Sequence, residues 1–128
     1  NYEKRIPIAR ENFEKSGFAD RITLIPGDAA EVLKTLDGPY DFIFMDAAKG
    51  QYIHFLPEVL RLLDEKGVLI TDNVLQDGDV IESRFAVTRR NRTIHKRMRE
   101  YLYTLTHSEE LVTAVLPVGD GITLSTRR

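Results

Sequence analysis

Along the chain, stretches with apolar residues at helical spacing alternate with short runs that are apolar almost throughout. YEKRIPIARENFEKS (2–16) predicts a helix that stops at Gly17, a residue suited to a left-handed cap; Pro7 removes one backbone donor unless it falls in the opening turn. RITLIPG (21–27) predicts a short strand, DAAEVLKTL (28–36) a helix with Asp28 and Glu31 at capping-box spacing, and DGPY a turn. DFIFM (41–45) and KGVLIT (66–71) are near-continuous apolar runs followed by acids, the pattern of parallel strands covered on both faces. QYIHFLPEVLRLL (51–63) predicts the crossover helix between them, kinked or restarted at Pro57. The loop DNVLQDGDV (72–80) leads to a long helix within 81–107, and LVTAVLP, VGDG and ITLSTRR predict a closing antiparallel hairpin. This order of elements is that of an α/β fold.

Composition narrows the class. The 128 residues suit one domain, and 42% hydrophobic with 30% charged residues is the balance of a globular protein. No apolar run approaches a membrane span, which predicts no membrane partner. With no cysteine, a disulfide framework and a thiolate metal site are excluded, and a cytoplasmic location is the expectation. His54, His95 and His107 show no metal-ligand spacing and read as helix-surface or core residues.

The candidate chemistry lies at the strand ends. Open α/β sheets bind ligands beyond the carboxyl ends of their strands. Here those ends read Pro26-Gly27-Asp28-Ala29, Asp46-Ala47-Ala48-Lys49 and Asp72-Asn73. If the strands ending at Asp46 and Asp72 are parallel neighbours about 4.8 Å apart, Asp46, Asp72 and Asn73 share one small volume. Singly, each is also a common helix-cap or turn residue. Jointly, their oxygens suit a hard divalent cation, Mg2+ above all, and without one the two carboxylates would repel each other.

GDAAEVL, YDFIFMDAAKGQY, GVLITDNVL and VGDGITLS, in that order, resemble the cation-dependent O-methyltransferases that use S-adenosylmethionine, a group including catechol and caffeoyl-CoA methyltransferases and bacterial relatives. The resemblance implies a class I methyltransferase fold, with a Rossmann-like, mostly parallel sheet and a C-terminal antiparallel hairpin. It implies Asp46, Asp72 and Asn73 as metal ligands, Lys49 as general base toward a substrate hydroxyl, and Gly27, Asp28 and Ala29 against the adenine of the cofactor. Asp46 is counted with these cofactor-binding residues as well. The role of Asp120 in VGDG is left open. Relatives of this kind are commonly homodimers. The G-x-G turn and the ribose-binding acid of that fold have no counterpart here, and its two strands between RITLIP and DFIFM have none either. Residues 1–128 are therefore expected to be the C-terminal part of a single methyltransferase domain.

Charge suggests the substrate. Residues 1–83 carry 9 Lys+Arg against 16 Asp+Glu, whereas residues 84–128 carry 9 against 4. Seven basic residues and no acid lie between Arg84 and Arg99. RFAVTRRNRTIHKRMREY resembles the corresponding segment of bacterial tRNA 5-hydroxyuridine methyltransferases. That resemblance implies a tRNA anticodon loop as partner and the 5-hydroxyl of wobble 5-hydroxyuridine as acceptor, giving 5-methoxyuridine. Arg84, Arg89, Arg90, Arg92 and Lys96 would then meet phosphates, and Phe85, Tyr101 or Tyr103 would offer stacking surface. The alternative acceptor is a small catechol-like or other phenolic compound, which also offers two adjacent oxygens. A non-catalytic RNA-binding or dimerisation module is the contrasting class, and the intact Asp46, Lys49, Asp72 and Asn73 argue against it.

Overall fold

The computed structural model of the protein describes residues 2–83 and 85–128. The chain divides into two units, residues 1–32 and 33–128. In the first, α1 (Tyr2–Ser16) ends where predicted, with Gly17 at φ +76° in the left-handed conformation that closes a helix at little cost. Pro7 lies inside α1, past its opening turn, so one helical hydrogen bond is lost. The strand predicted over 21–27 does not form: Ala19–Arg21 is a single 3-10 turn, and residues 22–26 run without a ladder. A strand needs a neighbour to take its N–H and C=O groups, and residues 22–26 are paired in no ladder. The helix after it is α2 (Ala29–Thr35), capped by the Asp28 carboxylate, which accepts from the Ala30 N–H at 2.8 Å.

The second unit is built on a four-stranded sheet of order β1-β2-β4-β3, comprising β1 (Tyr40–Met45), β2 (Leu63–Thr71), β3 (Leu111–Leu116) and β4 (Ile122–Arg127). β1 and β2 are parallel, while β2–β4 and β3–β4 are antiparallel. The sheet is thus mixed rather than mostly parallel, because the hairpin enters between β2 and the edge and supplies two of the three pairings. β2 begins three residues earlier than the apolar run predicts, but Tyr40 pairs with Leu63 and Phe42 already with Val68. The intervening residues bulge out through Lys66 at φ +61°, and a Cβ on Gly67 would stand 2.9 Å from the Asp64 carbonyl oxygen. From Val68 onward the ladder is regular, as the sequence pattern requires.

α3 (Tyr52–Leu62) and α4 (Arg92–His107) present residues at spacings of three and four to one face of this sheet. Tyr52, Leu56 and Val59 from α3 and Met98, Tyr101 and Leu105 from α4 are buried with Met45, Leu69 and Leu111 from the strands. α3 continues through Pro57 without restarting, the missing donor falling at an exposed position. α4 starts at Arg92, after the 3-10 segment Arg89–Asn91 and a turn closed by the Ala86 N–H donating to the Ser83 carbonyl at 2.9 Å. The apolar stripe of α4 runs through Ile94, Met98, Tyr101 and Leu105, and the buried Val80 and Val87 lie 14 and 7 positions before Ile94 on the same period, so spacing alone does not mark where the helix starts.

The opposite sheet face is apolar, as the near-continuous runs imply, and is exposed in this chain. Phe42 and Phe44 on β1 are 57% and 55% exposed, and Leu124 and Val112 continue the same apolar face across β4 and β3. Burial on both sides requires a second layer, and a near-continuous apolar run records only that each face is apolar. Among the described residues, no helix is long and apolar enough to cross a membrane.

Candidate active site at the carboxyl ends of β1 and β2

The parallel register sets Met45 beside Thr71, so the next residues, Asp46 and Asp72, leave adjacent strands together. The Asp72 N–H donates to the Met45 carbonyl at 3.1 Å and extends the ladder to the site itself. Asn73 then turns at φ +57°, a left-handed conformation that asparagine tolerates better than most residues. Its side-chain amide lies 3.5 Å from Asp46 Oδ1, and its N–H donates to Asp72 Oδ1 at 2.7 Å. The predicted cluster of Asp46, Asp72 and Asn73 is therefore assembled by pairing two strands that are far apart in sequence. Two carboxylates and a carboxamide are hard oxygen donors that fit a divalent cation such as Mg2+, with the amide rotated to present its oxygen. Among the described residues, no group of three or more His, Cys, Asp or Glu is placed to hold a metal.

Lys49 opens the 3-10 turn Lys49–Gln51 that leads into α3, three residues beyond Asp46. Its Nζ lies 3.0 Å from Asp120 Oδ2 on the β3–β4 loop. Sequence reasoning flagged VGDG but gave Asp120 no role; the contact joins positions 71 apart and has no local signal. Gly27, Asp28 and Ala29 lie in the first unit, where Asp28 caps α2.

Tyr52 is a second residue that the sequence did not single out. Fully buried at the start of α3, its hydroxyl donates to the Asp72 carbonyl oxygen at 2.9 Å. Burial, with a smaller contribution from the Asp46 and Asp72 carboxylates, raises its pKa above the usual tyrosine value, so the hydroxyl stays a donor across the neutral and mildly alkaline range. Tyr52→Phe removes the bond and leaves the part-buried Asp72 carbonyl without that donor. The expected result is a loss of about 1–3 kcal/mol in stability and roughly 10-fold weaker Mg2+ binding by calorimetry. Unchanged Mg2+ affinity would mean that Tyr52 serves packing alone.

The basic segment is less available to a polyanion than its sequence suggests. Arg84 lies outside the described residues, as does the side chain of Arg90. Arg89 is exposed, and Lys96 is exposed with Glu100 3.7 Å away. Arg92, Arg97 and Arg99 donate to the carbonyls of Val87, Gly50 and Val80, which ties α4 to the loops around it, while Arg92 and Arg99 stay exposed. Tyr101 is wholly buried and cannot stack on a base, whereas Phe85 is 81% exposed and Tyr103 stacks on His107 with ring centroids 3.9 Å apart. His95 is buried with Nε2 3.1 Å from the Glu82 carbonyl oxygen, in keeping with a core histidine. A hollow of about 890 Å³ on the α4 surface is lined by Arg92, His95, Lys96 and Arg99 among others. It is separate from the strand-end cluster, whose residues do not line it.

The chain is similar to known methyltransferases over nearly its whole length. A caffeoyl-CoA O-methyltransferase of Citrus natsudaidai is 37% identical over 99% of this chain and 56% of its own length. A catechol O-methyltransferase of Mycobacterium tuberculosis is 34% identical over 61% of this chain and 36% of its own. The crystal structure of the SAH-bound methyltransferase PaMTH1 of Podospora anserina superposes with a TM-score of 0.83 at 31% identity, covering 98% of this chain and 57% of that one. The chain spans about half the length of the curated relatives it matches, and its fold corresponds to part of the class I methyltransferase fold. With a family model described as O-methyltransferase matching residues 2–128, the chain belongs to the O-methyltransferase family of caffeoyl-CoA and catechol type.

Proposed function

We propose that this chain carries the catalytic strand ends of an O-methyltransferase that uses S-adenosylmethionine and a divalent cation, and that methylates a hydroxyl lying next to a second oxygen on a small phenolic substrate. The observation that carries the reading is the convergence of Asp46, Asp72 and Asn73 at the ends of paired parallel strands, with Lys49 one turn further on. When bound, the cation would supply charge that acidifies the substrate hydroxyl and orients two adjacent oxygens, and S-adenosylmethionine would supply the methyl group. Asp46 and Asp72 provide the negative charge of the donor set, and Asn73 a neutral oxygen. Lys49 Nζ, paired with Asp120 Oδ2 at 3.0 Å, would hold the oxyanion left when the hydroxyl loses its proton; to serve as general base it must first give up its own proton. Gly27, Asp28 and Ala29 are assigned to the adenine by the family resemblance alone, as is the homodimer.

The tRNA acceptor is the weaker reading. The relatives named above are caffeoyl-CoA and catechol enzymes, and three arginines of the basic segment are engaged by the fold's own carbonyls. Assaying the full-length protein with Mg2+ and labelled S-adenosylmethionine, against a catechol, caffeoyl-CoA and undermodified tRNA, separates the two. Methyl transfer to a phenolic acceptor that stops on chelation of the cation is the expected result. Transfer to tRNA alone would overturn the substrate, and transfer to none of them would overturn the enzyme.

A further inference from the structure

We propose that Asp120 is a positioning residue that holds the Lys49 ammonium over the strand-end cluster. The assignment rests on the function proposed above. Its first support is the ion pair of 3.0 Å between Lys49 Nζ and Asp120 Oδ2, with the side chains 32% and 17% exposed. A pair this open to solvent adds little to stability, so its geometric effect is the more informative one. Lys49 is a flexible side chain with four carbons between backbone and charge, and a reaction at its nitrogen needs that freedom removed beforehand.

The second support is how firmly the Asp120 backbone is fixed. The Leu75 N–H donates to the Asp120 carbonyl at 2.9 Å, and the Val74 N–H to the Gly121 carbonyl at 3.1 Å. The loop that bears Asp72 and Asn73 is thereby bonded to the β3–β4 loop directly after them. Gly121 stands at φ +79°, and a Cβ there would overlap Leu75 Cγ, so only glycine allows this approach. The three loops beyond β1, β2 and β3 form one interlocked rim, and the Asp120 carboxylate is the point at which that rim grips Lys49.

The test uses the full-length protein and four variants: Asp120→Asn, Asp120→Glu, Lys49→Ala and the double variant Lys49→Ala/Asp120→Asn. Asp120→Asn should lower kcat on a catechol by about 100-fold with KM and Mg2+ affinity unchanged, and Asp120→Glu should recover part of the loss. In the Lys49→Ala background Asp120→Asn should cost nothing more, because its effect passes through Lys49. Independently of turnover, Lys49 should react several-fold faster with an amine-labelling reagent in Asp120→Asn than in the wild type, read by mass spectrometry. Additive losses, weakened Mg2+ binding or unchanged labelling would each overturn the assignment. If the wild type methylates no phenol, the function proposed above falls, and the labelling result alone decides whether Asp120 holds Lys49.

Discussion

Asp72→Ala in the full-length protein is expected to reduce Mg2+-dependent methyl transfer by at least about 1,000-fold while the fold persists. The residue sits where two kinds of contact meet. Its main chain extends the parallel ladder through Met45 and is held from behind by the Tyr52 hydroxyl, and its side chain faces Asn73 with Asp46 beyond. Alanine keeps the main-chain bonds, so the cost to stability is confined to the lost bond from the Asn73 N–H, about 1 kcal/mol. The donor set, by contrast, loses one of its two carboxylates, and cation stabilisation of developing charge is worth several kcal/mol, each 1.4 kcal/mol being roughly tenfold in rate. Calorimetry with Mg2+ and a steady-state assay would measure the two effects separately. Activity within tenfold of wild type would remove Asp72 from the ligand set. Under the contrasting module reading, the same variant would leave RNA affinity unaltered and there would be no turnover to lose.

The largest expected effect on stability is that of Tyr101→Ala, about 3–5 kcal/mol, a substantial share of the roughly 5–15 kcal/mol that holds a typical domain folded. Tyr101 is fully buried under the sheet, its ring 5.5 Å from that of Tyr52 and tilted at 55°, and its hydroxyl is hydrogen-bonded to Thr71 Oγ1 at the last residue of β2. Truncation therefore opens a cavity beneath the strand end and strands the Thr71 hydroxyl in an apolar setting. Tyr101→Phe keeps the volume and isolates the polar part, at about 1–3 kcal/mol. Urea unfolding of both variants gives the comparison. A loss below about 1 kcal/mol for Tyr101→Ala would show that the packing of α4 on β2 relaxes around the gap. Read from sequence, Tyr101 was one of three aromatics that could have stacked on a base; its burial assigns it to the core, where it supports the site through Thr71 and Tyr52.

How much was legible can be followed residue by residue. The runs at 41–45 and 66–71 carry β1 and the regular part of β2, because a short near-continuous apolar run is itself a local strand signal. The closing hairpin and the stop at Gly17 follow from turn chemistry in the same local way. The run at 21–27 carries a strand pattern and forms no strand, since a ladder depends on a partner that a local pattern cannot supply. Arg92, Arg97 and Arg99 illustrate the same limit for function. Their charge is written in the sequence, but whether a guanidinium faces a carbonyl or solvent depends on the loops that fold against α4.

The sequence by itself determined the element types, the family motifs and the residue types of the strand-end cluster, because each of these is local or is set by short spacing. Only the tertiary structure decided that Asp46, Asp72 and Asn73 meet, that the sheet is mixed with one apolar face left open, and that Tyr52 and Asp120 stand behind Asp72 and Lys49. The physical reason is that hydrogen bonds, ion pairs and burial depend on distance in space, and the pairs that matter here are separated by 20 to 71 positions along the chain.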